Sequence, residues 1–230
     1  MKRLLFILLF IFIVPLHAQR SDFNEINFEQ ADRIANSYKG EDLYNLPVLA
    51  HHLTATLPTD VERFRSIYYW VTHNIKGDYD MMYKNDRARK RLNSDANGLQ
   101  QWNTEFTREV FTKLLEDKTT LCTGYAYLIK ELSNLAGLEC EIINGYGPTN
   151  KLKFNELNGP NHSWNAIKLN GKWYLCDPTW SAGFTNLSTF LFEYRFDETL
   201  FLMEPSEFFE DHKPVDAHWT LLNQVTDRSN

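Results

Sequence analysis

Cysteine is scarce in this sequence, and its three cysteines lie far apart. Cys122, Cys140 and Cys176 form no CxxC pair, and none has a histidine at the spacing of a structural zinc site. The pattern therefore predicts no structural zinc. Because three is an odd number, at least one thiol must stay free in an oxidising compartment.

An excess of positive charge is also absent. The chain has 24 Lys and Arg against 30 Asp and Glu, which gives a formal net charge of −6. No segment forms a basic face, so we expect no nucleic-acid partner. Internal repeats and low-complexity segments are lacking as well, and the length suits a single domain.

Long hydrophobic runs are limited to the N-terminus. Lys2 and Arg3 precede an almost unbroken apolar run at 4–14, and Ala18 offers a small residue at a cleavage point. This is the pattern of a secretory signal peptide. A retained membrane anchor is the alternative, but the run is short against the ~20 apolar residues that a spanning helix needs. We therefore expect cleavage after Ala18 and a secreted or periplasmic mature chain with no membrane segment.

The remaining chain divides into an extension and one domain. Residues 19–44 are mostly polar and allow a short helix, and residues 45–230 carry the periodic patterns. Within this domain, Thr59 and Asp60 predict a helix start, and apolar residues follow at helical spacing until Gly77. These apolar residues are Val61, Phe64, Ile67, Tyr68, Val71 and Ile75.

A charged and polar stretch at 84–103 follows this helix. It contains the turn signal Asn97-Gly98 and few apolar residues. We therefore predict a long surface loop there, followed by a short helix at 107–117.

The next helix carries Cys122. Thr120 is a candidate N-cap, which puts Cys122 at the second helical position, and Gly137 is a natural stop. A helix N-terminus carries partial positive charge, which lowers the pKa of a thiol. By itself, however, a cysteine on an apolar helix face is more often part of the core.

Three strand-like runs come after this helix, at 139–145, 163–169 and 172–176. Between the last two, Asn170-Gly171 is a strong signal for a two-residue hairpin turn. The sequence therefore predicts a β-hairpin with a defined register.

That register predicts a histidine–carboxylate pair. The turn pairs Leu169 with Lys172, and counting back from it pairs Trp164 with Asp177. His162 lies two residues from Trp164, so it shares a face with Asp177 and lies within side-chain reach of it. A slip of one residue would put the two on opposite faces.

Cys122, His162 and Asp177 together have the residue types of a thiol acyl-transfer triad. The thiolate attacks a carbonyl carbon, and the imidazole returns a proton to the leaving amine. The carboxylate fixes the imidazole tautomer and stabilises its charged form. The unpaired backbone N–H of Cys122 is suited to holding the oxyanion. Each residue alone has a structural explanation, and only their combination predicts catalysis.

The other cysteines and histidines have simpler interpretations. The hairpin register sends Cys176 to the face opposite the predicted site. Cys140 and Cys176 are either buried small apolar residues or a disulfide, and the sequence leaves both open. The remaining histidines lack partners or ligand spacing, so we expect no metal at them. They are His51, His52, His73, His212 and His218.

Three sequence blocks surround the predicted triad. They are Leu121-Cys122-Thr123-Gly124-Tyr125-Ala126, Asn161-His162-Ser163-Trp164-Asn165-Ala166 and Lys172-Trp173-Tyr174-Leu175-Cys176-Asp177-Pro178-Thr179-Trp180. In order, spacing and flanking aromatics, they resemble the transglutaminase-like superfamily, in its bacterial and kyphoscoliosis-peptidase-like branch. The family's catalytic cysteine, histidine and aspartate match Cys122, His162 and Asp177. The resemblance implies an α+β, papain-like fold, with a Cys-bearing helix packed on an antiparallel sheet that carries His and Asp.

The resemblance also implies a thiol enzyme that acts on amide or peptide bonds of a protein or peptide substrate, without a cofactor. Water as acceptor would make it a peptidase or amidase, and an amine would make it a transglutaminase, since both reactions share an acyl-enzyme. A catalytically silent binding module of the same fold is the alternative. The stretch at 84–103 departs from the family as an insertion. No acidic cluster resembles the calcium sites of animal transglutaminases, so we expect no metal.

Overall fold

A computed structural model describes residues 20–148 and 159–222. The predicted signal peptide at 1–18 lies outside these residues, as does most of the loop-rich linker between Pro148 and Pro160. Removal of the signal peptide therefore stays a prediction. Within the described ranges, no helix is both long and apolar enough to cross a membrane.

The described residues form eight α-helices around a small antiparallel sheet. The helices are α1 (Glu29–Ser37), α2 (Leu46–Thr54), α3 (Asp60–Asn74), α4 (Tyr79–Arg91), α5 (Ala96–Asp117), α6 (Cys122–Leu135), α7 (Pro178–Ala182) and α8 (Pro205–Asp211). The strands are β1 (Lys76–Gly77), β2 (Thr119–Thr120), β3 (Cys140–Tyr146), β4 (His162–Leu169), β5 (Lys172–Cys176), β6 (Gly183–Asn186), β7 (Leu191–Tyr194) and β8 (Lys213–Pro214). The main sheet has the strand order β5-β4-β3-β8, and α6 packs against β3 and β4. The predicted α+β architecture is confirmed.

Helix α3 lies at the centre of the hydrophobic core. The side chain of Thr59 accepts a hydrogen bond from the backbone of Glu62, which fixes the helix start where the sequence predicts it. All six residues of the predicted apolar face are buried. The helix ends at Asn74, before the predicted stop at Gly77, because β1 begins at Lys76 and pairs in parallel with β2.

Residues 20–44 share this core. Phe23 and Leu43 are buried in the same cluster as α3. The guanidinium of Arg65 on α3 bonds to Asp32 at 2.7 Å and to Glu198 at 3.0 Å. These ion pairs tie the N-terminal residues to the segment that follows β7.

The prediction of a surface loop at 84–103 is wrong, because most of this stretch belongs to α4 and α5. Asp78 accepts a hydrogen bond from the backbone of Met81, and Asp95 accepts one from Gly98. These aspartates are N-caps, so the Asn-Gly pair lies in the first turn of a helix and not in a loop turn. The predicted helix at 107–117 is the second half of α5.

The α4–α5 pair packs beside the start of α6. Buried Met81, Phe106 and Val110 form a separate hydrophobic cluster against the partly buried Trp102 and Leu121. Leu121 directly precedes Cys122 in the chain. The α4–α5 pair therefore anchors the end of α6 that carries the thiol.

The β4–β5 hairpin has the predicted register. Leu169 pairs with Lys172, and the ladder runs to the pair of Asn165 with Cys176. The turn residues Asn170-Gly171 have φ values of 52° and 80°, as the predicted two-residue turn requires. The hairpin therefore places the first residues of β4 next to the last residues of β5.

Candidate active site

Cys122 is the first residue of α6. Leu121 is the N-cap and makes no side-chain capping bond, whereas the predicted N-cap, Thr120, belongs to β2. The prediction was wrong by one residue because the β1–β2 pairing draws Thr120 into a strand. In this position the Cys122 backbone N–H lacks an intrahelical partner and the thiol lies at the positive end of the helix dipole. Cys122 is partly exposed, whereas Cys140 and Cys176 are buried.

Gly124 allows α6 to begin directly against β2. A Cβ atom at Gly124 would lie only 2.0 Å from the Thr120 Oγ1 atom. Any larger residue would push the first turn of α6 away from the strand. The position of Cys122 one residue beyond β2 therefore depends on glycine.

His162 and Asp177 form the predicted pair. The His162 Nε2 atom lies 2.7 Å from Asp177 Oδ2, and both side chains are buried. His162 is the first residue of β4, and Asp177 follows β5 as the N-cap of α7. The other carboxylate oxygen, Oδ1, accepts hydrogen bonds from the backbone of Thr179 at 2.8 Å and of Trp180 at 3.1 Å.

The imidazole of His162 contacts Cys122 as well. Because Nε2 is bonded to Asp177, Nδ1 is the nitrogen left for the thiol. Burial alone would raise the pKa of Cys122, but the hydrogen bond and charge of His162, together with the Ser163 backbone N–H, bring this pKa below its ordinary value. The structure therefore brings together all three residues predicted from the sequence.

The ionisation of the pair follows from the same contacts. Burial alone would lower the pKa of His162, but the charge and hydrogen bond of Asp177, and the adjacent thiol, raise this pKa to about 10. Burial would likewise raise the pKa of Asp177, yet His162 and His212 hold it well below its usual range. These shifts favour an ion pair of thiolate and imidazolium beside an ionised carboxylate.

The indole of Trp180 covers this pair. Its ring stacks on the His162 imidazole with a centroid separation of 4.8 Å and an interplanar angle of 15°. Gly147 lies close by, since a Cβ there would be 3.2 Å from the indole and 3.4 Å from the His162 Cβ. The indole limits water at the His162–Asp177 bond, and a drier environment strengthens that bond.

A buried tyrosine fixes Asp177 from the helical side. The Tyr68 hydroxyl on α3 lies 2.9 Å from the Asp177 carbonyl oxygen and 2.6 Å from the Ser181 Oγ atom. Tyr68 is fully buried. The backbone that carries the carboxylate is therefore held by the central helix of the core.

Cys140 and Cys176 are free thiols. They lie on β3 and β5, which are separated by β4. Two strand spacings of about 4.8 Å put their Cα atoms roughly 10 Å apart, beyond the ~7 Å limit for a disulfide. Burial raises the pKa of Cys140 to about 12 and that of Cys176 well above its ordinary value. Of the two alternatives left open by the sequence, the buried apolar role is correct.

The sequence analysis assigned no role to His212, which also belongs to this site. Its Nε2 atom lies 3.1 Å from the same Asp177 Oδ2 atom, and its side chain is buried. His212 follows Asp177 by 35 residues and lies between α8 and β8. Only the tertiary packing of α8 brings it there.

The cluster of His162, Asp177 and His212 has the residue types of a metal site, and its ligand atoms lie within 4.8 Å of one another. A tetrahedral zinc ion with bonds of about 2.0–2.2 Å would hold its ligands roughly 3.3 Å apart. The 2.7 Å between His162 and Asp177 is shorter and fits a hydrogen bond. The geometry thus suits a proton better than a metal, and the expectation of no metal stays a prediction.

Comparison with known proteins identifies the family. Residues 47–178 match the model of the transglutaminase-like superfamily, and this range includes Cys122, His162 and Asp177. The chain belongs to the transglutaminase-like superfamily. The resemblance and the fold predicted from the sequence are confirmed.

Relatives of this transglutaminase-like chain are longer proteins. Kyphoscoliosis peptidase from Homo sapiens is 30% identical over 200 residues, which cover 85% of this chain and 27% of that protein. Hillarin from Drosophila melanogaster is 28% identical over 215 residues, which cover 86% of this chain and 23% of that protein. The chain thus spans about a quarter of the length of these relatives. A crystal structure of a Parabacteroides distasonis protein overlaps with a TM-score of 0.39 at 17% identity, covering 64% of this chain and 26% of that one.

Proposed function

We propose that this protein is an exported thiol enzyme that acts on amide or peptide bonds through Cys122, His162 and Asp177. The observation that carries the proposal is a partly exposed cysteine at the start of α6, whose thiol contacts an imidazole that is bonded at 2.7 Å to a buried carboxylate. Membership in the transglutaminase-like superfamily supports thiol chemistry at this position.

In the first half of the reaction, the enzyme is acylated. The Cys122 thiolate attacks the carbonyl carbon of the substrate amide, and the backbone N–H of Cys122 is suited to donate to the oxyanion that forms. The C–N bond then breaks, and the His162 imidazolium gives its proton to the leaving amine. A thioester on Cys122 and a neutral imidazole remain, with the imidazole still bonded to Asp177.

In the second half, an acceptor releases the acyl group. Neutral His162 takes a proton from the acceptor as it attacks the thioester, and the Cys122 thiolate leaves. Water yields a carboxylic acid, and a primary amine yields a new amide. We favour water, because the human relative is named a peptidase.

We also propose that the mature chain acts outside the cytoplasm. The basis is the basic pair before the apolar run at 4–14, followed by Ala18. Mass spectrometry of the protein recovered from the producing cells tests this, with a mature N-terminus just after Ala18 as the expected result. A mature protein that retains residues 1–18 would contradict export by cleavage.

One experiment tests the activity and identifies the acceptor. The purified protein is incubated with a peptide library and a labelled primary amine, beside Cys122→Ala and the matched control Cys140→Ala. We expect activity to disappear only in Cys122→Ala, with cleavage indicating hydrolysis and label incorporation indicating transamidation. Equal turnover in Cys122→Ala would overturn the proposal, and binding without turnover in all three proteins would favour the silent module.

A further inference from the structure

Each oxygen of the Asp177 carboxylate has two hydrogen-bond partners. Oδ1 accepts from the backbone N–H groups of Thr179 and Trp180. Oδ2 lies 2.7 Å from His162 Nε2 and 3.1 Å from His212 Nε2. Two bonds at each oxygen fix the plane of the carboxylate. A fixed carboxylate in turn holds the His162 imidazole in one orientation.

The hydrogen bond between His212 Nε2 and Asp177 Oδ2 can have only one donor. A carboxylate that is ionised can only accept hydrogen bonds, so Nε2 of His212 must be the donor. This assignment puts a proton on Nε2, whereas Nδ1 lies 3.2 Å from the Phe208 carbonyl oxygen. It follows from the identity of the partner and needs no assumption about the charge of the ring.

The ring of His212 is itself held by aromatic contacts. It stacks on Phe208 with a centroid separation of 3.8 Å and meets Trp164 edge-on at 5.0 Å. Its centroid lies 4.4 Å from the Trp180 ring. These contacts lock the rotamer, so that Nε2 is directed at Asp177 and not at solvent.

The backbone around His212 is anchored on the edge of the main sheet. His212 caps the C-terminal end of α8, and its N–H donates to the Phe208 carbonyl at 3.0 Å. Directly after it, β8 pairs with β3, with Tyr146 opposite Lys213. The Val215 N–H then donates to Asn144 at 3.0 Å. This segment lies outside residues 47–178, so the family match makes no statement about it.

From this geometry we propose that His212 is a positioning residue, whose Nε2–H orients Asp177 so that Asp177 can hold His162 against Cys122. The proposal rests on the proposed triad and adds a fourth side chain to it. His212 acts through Asp177 and does not touch the substrate. A purely structural histidine would contribute only its packing against Phe208 and Trp164.

Two substitutions separate donation from packing. His212→Phe keeps an aromatic ring against Phe208 but removes the donor, whereas His212→Gln keeps a donor and removes the ring. The same two changes at the exposed His218 are the controls. The measured quantity is the rate of Cys122 alkylation by iodoacetamide at neutral pH, with melting temperatures recorded for all variants.

If His212 positions Asp177 by donation, iodoacetamide should alkylate Cys122 at least about tenfold more slowly in His212→Phe, because a buried charged group loses a donor. His212→Gln should stay within about threefold of the original rate, since the amide replaces the donor. The reverse order, or equal rates in both variants, overturns the proposal.

A measurement on the unchanged protein covers the case in which His212→Phe does not fold. Nitrogen-15 NMR of labelled histidines reports which ring nitrogens carry protons, with His212→Gln used to assign the signals. We expect a protonated Nε2 at His212 at neutral pH, and an unprotonated Nε2 overturns the proposal. This result is independent of turnover. Failure of the proposed enzyme activity would be seen separately, as equal turnover in the unchanged protein and in Cys122→Ala.

Discussion

Asn165 donates from its side-chain amide to the carbonyl oxygen of Ala126 at 3.0 Å, which ties the strand of His162 to the helix of Cys122. The same nitrogen lies 3.2 Å from the Glu141 carbonyl oxygen on β3. Asn165 is fully buried, so water does not replace these bonds. The separation between the thiol and the imidazole therefore depends on this amide.

Replacing Asn165 with alanine is expected to lower the free energy of unfolding by about 1–3 kcal/mol, because buried carbonyl groups lose their donor. Alkylation of Cys122 should slow as well, since α6 is released from β4. Urea unfolding and iodoacetamide kinetics measure the two effects. Asn144→Ala is the matched control, because Asn144 is exposed and its side chain bonds only to Ser163 among the described residues. Equal losses in both variants would contradict this role.

Asp177→Asn is expected to lower turnover by a factor on the order of 10³–10⁴, because an amide does not hold the imidazole in the required tautomer and charge state. Its Oδ1 atom can still accept the bonds from Thr179 and Trp180, so the start of α7 is preserved. Steady-state kinetics on a cleaved or transamidated peptide measure the loss. Asp197→Asn is the control, because Asp197 caps a short exposed helix and contacts no histidine among the described residues. Comparable losses in the two variants would show that Asp177 acts only as a cap.

Gly124→Ala is expected to lower the free energy of unfolding by about 1–3 kcal/mol, because the new methyl group overlaps Thr120. Thr120→Ala removes the Oγ1 and Cγ2 atoms that this methyl group would meet. The double variant should therefore recover part of the loss, and a double-mutant cycle by chemical denaturation measures the coupling. Strictly additive effects would mean that the contact between β2 and α6 does not position Cys122.

Thiol titration of the purified protein under oxidising conditions is expected to find three free thiols in denaturant and one fast-reacting thiol in the native state. The fast thiol is Cys122, because burial raises the pKa of both Cys140 and Cys176. Peptide mapping after alkylation identifies it. A single free thiol in denaturant would instead indicate a disulfide that the strand separation forbids.

The pairing of His162 with Asp177 could be predicted because it depends on local chemistry. The turn at Asn170-Gly171 fixes the register, and the alternation of a strand fixes the face. Both rules act within the 15-residue separation of His162 and Asp177. The position of Cys122 was missed by one residue because it also depends on β1, which belongs to a distant part of the chain.

Helix α4 and the first half of α5 could not be predicted for a related reason. In α4 only Met81 and Ala88 are buried, so the apolar periodicity is weak. The capping aspartates that start both helices read as turn residues when they are followed by polar sequence. His212 is the extreme case, since it follows Asp177 by 35 residues and no local rule predicts their contact.

The pH dependence of Cys122 alkylation tests the central claim most directly. His162 lowers the pKa of this thiol, so the rate should remain high well below the ordinary thiol pKa of about 8.5. The pKa of His162 is about 10, so the imidazolium partner is lost only above that pH. In His162→Gln the midpoint of the pH dependence of the alkylation rate should rise to about 8.5, the ordinary thiol pKa. A midpoint of about 8.5 in both proteins would contradict an activated thiol at Cys122.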